Sequence, residues 1–203
     1  MRLYWSLFSP YVRKVLIVAH EAGLAGDIEL EAIEVSMSAA NRDLLPSNPL
    51  GQIPTLVTSD GTTLHDSRVI CEYLDTMGDG GMFPPGPRRW DALKRQALGD
   101  GILDVLILWR QERLKPADRQ TQEWLETFAL KVSTALDHIE REAMLLDAKP
   151  FDIGHAAIGC ALGYLDLRFA DLNWRDGRPE LAHWDDAFRR RPSAEATAPG
   201  EAA

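Results

Sequence analysis

The chain has 203 residues, enough for one large or two small domains with an adequate core, and its 45% apolar and 26% charged content is that of an ordinary globular protein. A formal net charge of −9 argues against nucleic acid as a main partner, because phosphate binding needs a basic face, and no apolar run is long enough to span a membrane. Two cysteines, Cys71 and Cys160, lie far apart inside helix-like apolar patterns, which fits neither a disulfide framework nor a zinc signature. Buried free thiols and a cytoplasmic location are the expectation, with no metal.

In chain order, "LYWSL" reads as a short buried strand and "PYVRKVLIVAHEAGL" as a helix, with Val12, Val15, Leu16, Ala19 and Ala22 near one face. "IELEAIEV" alternates apolar and acidic residues, the mark of a strand with one solvated face. "SAANRDLLPSN" predicts a polar stretch with a short helical turn. "PTLVTSDGTTLHD" predicts two strands joined around Asp60-Gly61, and "SRVICEYLDTM" a helix with Val69, Ile70, Tyr73, Leu74 and Met77 in one stripe. The order β-α-β-α-β-β-α is a parallel βαβ unit followed by a hairpin. "GDGGMFPPGPRR" then packs four glycines and three prolines into twelve residues, which reads as a linker. Beyond it only helical patterns follow, about five of them by periodicity. The expected domains are residues 1–78, a linker at 79–88, an all-helical unit at 89–192, and a small, polar, disordered tail at 193–203.

Ser9 and Pro10 stand where the first strand hands over to the first helix. Proline suits a first helical turn and serine is a standard N-cap, so structure alone accounts for both. The same helix start, with its free N–H groups and positive dipole end, is also a ready anion site.

Four stretches in this order resemble the soluble glutathione S-transferase family, over about residues 1 to 192: "SPYVRK", "NPLGQIPTL", "LHDSRVICEYL" and "DIGHAAIGCALGYLDLRF". "SPYVRK" also looks like the C-P-Y-C of a glutaredoxin with Ser9 and Val12 in place of the cysteines. The resemblance implies an α/β thioredoxin-like N-terminal domain, an all-α C-terminal domain with an electrophile pocket, and a homodimer. It implies a transferase that activates the thiol of glutathione, its co-substrate, for conjugation to a small hydrophobic electrophile, with peroxide reduction as a side activity. A glutathione-binding member without turnover is the alternative.

The residues follow from the motifs. Ser9 would activate the sulfur, in preference to Tyr4, which comes early in its strand. A cis Ile53–Pro54 bond would present the Ile53 backbone to the ligand as a strand edge. Asp66 would hold the γ-glutamyl ammonium, Ser67 the γ-glutamyl carboxylate, and Gln52 the glycyl end. Arg68 is either an assistant or a solvated helix charge. Trp109 and Arg113 are candidates to line the electrophile pocket or simply to pack, and Asp104 is the candidate acidic residue of the first long helix. Asp152 and His155 occupy a helix-capping box that normally has an acidic fourth residue, and His155 is expected to complete it poorly.

Overall fold

The computed structural model describes residues 1–78 and 80–200. Its first unit holds β1 (Arg2–Trp5), α1 (Pro10–Glu21), β2 (Glu29–Ala32), β3 (Thr55–Val57), β4 (Thr63–Leu64) and α2 (Ser67–Gly78). The strands form one sheet in the order β2-β1-β3-β4, with β1 parallel to β2 and antiparallel to β3, and β4 antiparallel to β3. This is a thioredoxin-like domain. The all-α unit follows: α3 (Pro87–Arg113), α4 (Gln122–Asp147), α5 (Ile153–Arg168), α6 (Pro179–Arg189) and α7 (Pro192–Ala196).

Local chemistry explains most boundaries. Ser9 caps α1, its hydroxyl accepting from the Val12 N–H at 3.3 Å, and Pro10 opens the first turn. Gly23, at φ 72°, ends the helix in the left-handed conformation that suits glycine. The hairpin turns where Asp60-Gly61 predicts, with Gly61 at φ 85°.

The stretch 38–48 keeps the short helical turn expected of it, the Asn48 N–H bonded to the Leu44 carbonyl at 2.9 Å, and goes no further; within it only Leu44 and Asn48 are buried, too little apolar surface to stabilise a longer helix. The strand expected in "IELEAIEV" contracts to Glu29–Ala32, and Leu30, on the face that the alternation assigns to the core, is 43% exposed. β2 is the outer strand, so little packs over it.

α1 is buried almost all round, because α2 packs on one side and α5 on another. α5 itself is buried from Ile153 through Tyr164 and on to Leu165, the central helix of the second unit. Asp152 caps it, accepting from the Gly154 N–H at 2.9 Å, and His155 completes the box, its Nδ1 lying 3.1 Å from the Asp152 backbone nitrogen and 2.7 Å from Asp152 Oδ1, with Nε2 3.1 Å from the Leu146 carbonyl oxygen. An imidazole nitrogen thus does the job expected of a carboxylate, against the sequence expectation.

The tail also differs from expectation. Residues 192–196 form α7, with Ser193 and Ala194 buried. Arg191 grips Glu21 with two hydrogen bonds of 2.6 and 2.7 Å, and Ser193 also donates to Glu21. Arg13 donates to the Ala194 carbonyl at 3.3 Å. The chain end is tied to α1 by ionic and hydrogen-bonded partners that its small, polar composition does not advertise; residues 201–203 lie outside the described residues. The expected linker at 79–88 overlaps α3, which begins at Pro87, and its residue 79 also lies outside them.

Two predictions follow from this packing. A Cβ at Gly99 would sit 2.6 Å from the Ala157 carbonyl carbon, where α3 crosses α5. Gly99→Val should therefore cost about 1–3 kcal/mol in urea unfolding, whereas the same change at the unobstructed helical Gly101 should cost less. The second concerns acid. Burial pushes the Glu21 and Asp152 carboxyls up, but Arg191 and Ser193 on the first, and His155 and Arg95 on the second, outweigh it and hold both below their ordinary values. Carboxylates lowered in the folded state stabilise it fully above their unfolded pKa values of about 4, and that contribution is lost as pH falls through the folded values. Urea midpoints should drop progressively below pH about 4, and less steeply in Arg191→Gln.

Candidate functional site

The strand register gathers the candidate residues at one end of the sheet. Tyr4 in β1 pairs with Thr55 in β3, so the loop after Trp5, which carries Ser9, lies at the same end as Ile53 and Pro54. Leu56 pairs with Leu64, which brings the start of α2, with Asp66 and Ser67, to that end as well.

The Ile53–Pro54 bond is cis, and among the described residues neither the N–H nor the C=O of Ile53 has a hydrogen-bond partner. The loop that presents it hangs on Asn48, a buried side chain that sequence reading passed over. Its Nδ2 donates to the Gln52 carbonyl at 2.9 Å and lies 3.0 Å from the Thr55 hydroxyl, while its Oδ1 accepts from the Leu50 N–H at 3.0 Å. The polar backbone of a tight loop is satisfied from inside, which leaves the Ile53 N–H and C=O unpaired while its side chain packs in the core. The Gln52 side chain is exposed.

At α2, Asp66 Oδ1 accepts from the Arg68 N–H at 2.8 Å, so Asp66 caps this helix. Asp66 is exposed and Ser67 buried. Arg68 is exposed yet paired: its Nε lies 2.9 Å from Oδ2 of Asp100 in α3. The other Asp100 oxygen holds Lys14 of α1 at 2.6 Å, and both side chains of that pair are almost wholly buried, at 0% and 1% exposure. One carboxylate of the second unit therefore binds a cation from each of the two helices whose first turns carry Ser9 and Ser67.

Tyr11 makes a parallel contact, donating its hydroxyl to Asp104. Burial first, and the Asp104 carboxylate second, push its pKa up, so the phenol keeps its proton. Asp104 thus does reach the site end of α1. Trp109 and Arg113 belong to the packing of the second unit instead. Trp109 is buried against Phe169 with ring centres 5.1 Å apart, and Arg113 pairs with Asp171 at 2.8 Å. Tyr4 is buried within β1 and does not line the cleft at Ser9.

That cleft, an open surface depression whose enclosed part is only about 10 Å³, lies between the β1–α1 loop, α5 and the tail. Leu7, Phe8, Leu167 and Pro199 give it apolar walls, with Ser9, Arg13 and Tyr164 as its polar groups. Ser9 is half-buried, and because its hydroxyl accepts from Val12, its own proton is free to donate outward. The thiols are poor candidates for chemistry: burial pushes Cys71 up to about 12 and Cys160 up to about 11, which keeps both protonated.

The buried cation pairing at Asp100 makes a strong claim on stability. Asp100→Asn should cost about 3–5 kcal/mol in urea unfolding, since it leaves the Lys14 ammonium buried without a counter-charge. The double change Lys14→Met, Asp100→Leu removes both charges and should recover much of that loss.

Comparison with known proteins agrees with this geometry. Residues 8–77 match the model of the glutathione S-transferase N-terminal domain, and residues 122–187 that of its C-terminal domain. Over the full length of both chains this protein is 32% identical to the uncharacterized GST-like protein YibF of Escherichia coli. A glutathione transferase family member from Pseudomonas fluorescens Pf-5, solved with bound glutathione, is 40% identical over 98% of each chain and superposes with a TM-score of 0.93. A second structure from that source holds S-(propanoic acid)-glutathione; it is 40% identical with a TM-score of 0.88, over 98% of this chain and 100% of that one. The chain belongs to the glutathione S-transferase family.

Proposed function

We propose that this chain is a glutathione transferase in which Ser9 activates the sulfur of bound glutathione toward a small electrophile. The observation that supports the reading is the Ser9 hydroxyl, half-buried at the start of α1 and accepting from the Val12 N–H, which leaves its proton free to donate. The glutathione bound to relatives with the same fold and 40% identity supports the choice of co-substrate.

The remaining roles follow the chemistry of the tripeptide. The cysteinyl segment pairs with the free N–H and C=O of Ile53, in the way an extended peptide adds to a strand edge, with cis Pro54 shaping that edge. The γ-glutamyl carboxylate sits at the N-terminus of α2 with Ser67, and Asp66 takes the ammonium as a charge-assisted pair. Gln52, exposed at the loop, reaches the glycyl end. A homodimer in the cytoplasm completes the reading. The homodimer is supported by the apolar groove of about 130 Å³ that α3 and α4 leave between Leu98, Ile102, Val105 and Val132.

Energies show why no base is needed. A free thiol ionises near pKa 8.5, and lowering that by two units takes about 2.7 kcal/mol. A hydrogen bond to a charged acceptor supplies about 1.5–3 kcal/mol and a helix terminus about 0.3–1. The Ser9 hydroxyl together with the first turn of α1 is sufficient.

The test is a titration of the bound thiol by its thiolate absorbance in the wild type and in Ser9→Ala. The wild type should ionise glutathione well below the free value, and Ser9→Ala should restore the free value with glutathione still bound and turnover lowered on the order of 10- to 100-fold. A thiol that titrates in the wild type as it does in water would identify a glutathione-binding protein without catalysis.

A further inference from the structure

The cleft beside Ser9 has a charge that the rest of the chain does not. The sequence carries 31 acidic and 22 basic residues, yet no acidic residue lines this cleft. Arg13, 7% exposed, forms part of its wall, and its Nε has no hydrogen-bond partner among the described residues. Two further arginines bear on it, Arg168 by contact with its wall and Arg110 by charge. Arg168, one helical turn after Tyr164 on α5, stands with its guanidinium carbon 4.9 Å from the centre of the Phe8 ring, which itself lines the cleft. Arg110 on α3 is half-buried, and its positive charge acts with that of Arg168 on the Tyr164 phenol. Among the described residues neither Arg110 nor Arg168 has a carboxylate within 4.0 Å, whereas the neighbouring Arg113 is paired with Asp171 at 2.8 Å.

Tyr164 adds a donor. It is 7% exposed, lines the same cleft as Ser9, and its hydroxyl has no hydrogen-bond partner among the described residues. Burial pushes its pKa up, so it keeps its proton. Half-desolvated cations without counter-ions beside an unused phenol O–H make a site for an anion with a planar head, since guanidinium forks match carboxylates. The nearby acidic residues are already engaged: Asp104 by Tyr11, Asp100 by Lys14 and Arg68, and Asp166 and Asp185 by Arg175 and Arg189.

We propose that the electrophile taken by this site carries a carboxylate, held by Arg110, Arg168 and the Tyr164 hydroxyl, with its apolar body against Phe8 and Leu167. This rests on the transferase reading and names its acceptor class: small unsaturated acids or acids bearing a leaving group. With an unsaturated acid the glutathione sulfur forms a bond to the β carbon and the π pair passes to the α carbon. The α carbon then takes up a proton equivalent to the one the thiol released, so the thiol adds across the double bond with no other reactant. The arginines hold the carboxylate end fixed while Ser9 holds the sulfur, which turns a bimolecular encounter into an oriented one.

Two glutathione derivatives of matched size test this: S-(2-carboxyethyl)glutathione and the neutral S-propylglutathione, titrated calorimetrically into the full chain. The wild type should bind the acid more tightly, by on the order of tenfold. That ratio should shrink at high salt, and it should fall toward one in Arg110→Gln and Arg168→Gln, measured separately. The ratio within each variant cancels any general loss of affinity, and the salt series needs no variant. Equal binding of the two derivatives by the wild type, tighter binding of the neutral one, or a preference that survives both substitutions would overturn the carboxylate subsite while leaving the transferase reading intact. If neither derivative nor glutathione itself binds, the transferase reading fails and the subsite with it.

Discussion

The geometry of this protein depends on one buried ion pair. Lys14 and Asp100 sit at the boundary between the thioredoxin-like and helical units with almost no exposure, and the second Asp100 oxygen reaches Arg68. Burying an ammonium is costly unless a carboxylate meets it, so the two units have to dock with α3 in one register against α1. The same register fixes the first turn of α2, because Arg68 is the second residue of that helix. The distance between the two helix starts proposed to bind and activate glutathione is thus set by a residue outside the domain that holds them. Neither unit alone would define the site.

Much of this was legible in the chain, and the boundary of legibility is instructive. The cap at Ser9, the turn at Asp60-Gly61, the cis Ile53–Pro54 bond that the family resemblance implied, and the helix start at Asp66-Ser67 were all readable. What stayed hidden depends on contacts between distant segments. "YVRKVLIVAH" is apolar enough to be buried on all sides, and in such a helix Arg13 and Lys14 must enter the interior. The run signals that they need partners, but neither Asp100, 86 residues away, nor the tail carbonyl of Ala194 can be identified from it. Asn48 is a similar case, a polar side chain whose role is to satisfy the backbone of a loop that becomes visible only when folded.

The tail shows composition misleading for the same reason. "PSAEATAPGEAA" has almost nothing to bury, which reads as disorder. Its order comes instead from fixed partners on α1: Glu21 holds Arg191 and Ser193, and Arg13 meets Ala194. Docking there places Pro199 in the wall of the cleft at Ser9 and Gly200 against Leu7. A segment without hydrophobic drive is ordered by charge, and it closes one side of the chemistry.

Charge also reconciles the protein's surface with its proposed ligands. Glutathione is acidic, and so is the acceptor assigned here, while the chain carries −9. Long-range attraction cannot collect such ligands, because exposed charges are screened beyond roughly 10 Å at moderate salt. Recognition has to come from local fields, and the structure supplies two of them: the helix start at Ser67, and the arginines around Tyr164. Both act at short range and on partly desolvated groups, where a charge counts for more than it does on the surface. Asp100 and Asp104 meanwhile neutralise Lys14 and engage Tyr11 and Arg68. Acidic residues hold the units together, while Arg13 in the wall of the cleft keeps an Nε without a partner among the described residues.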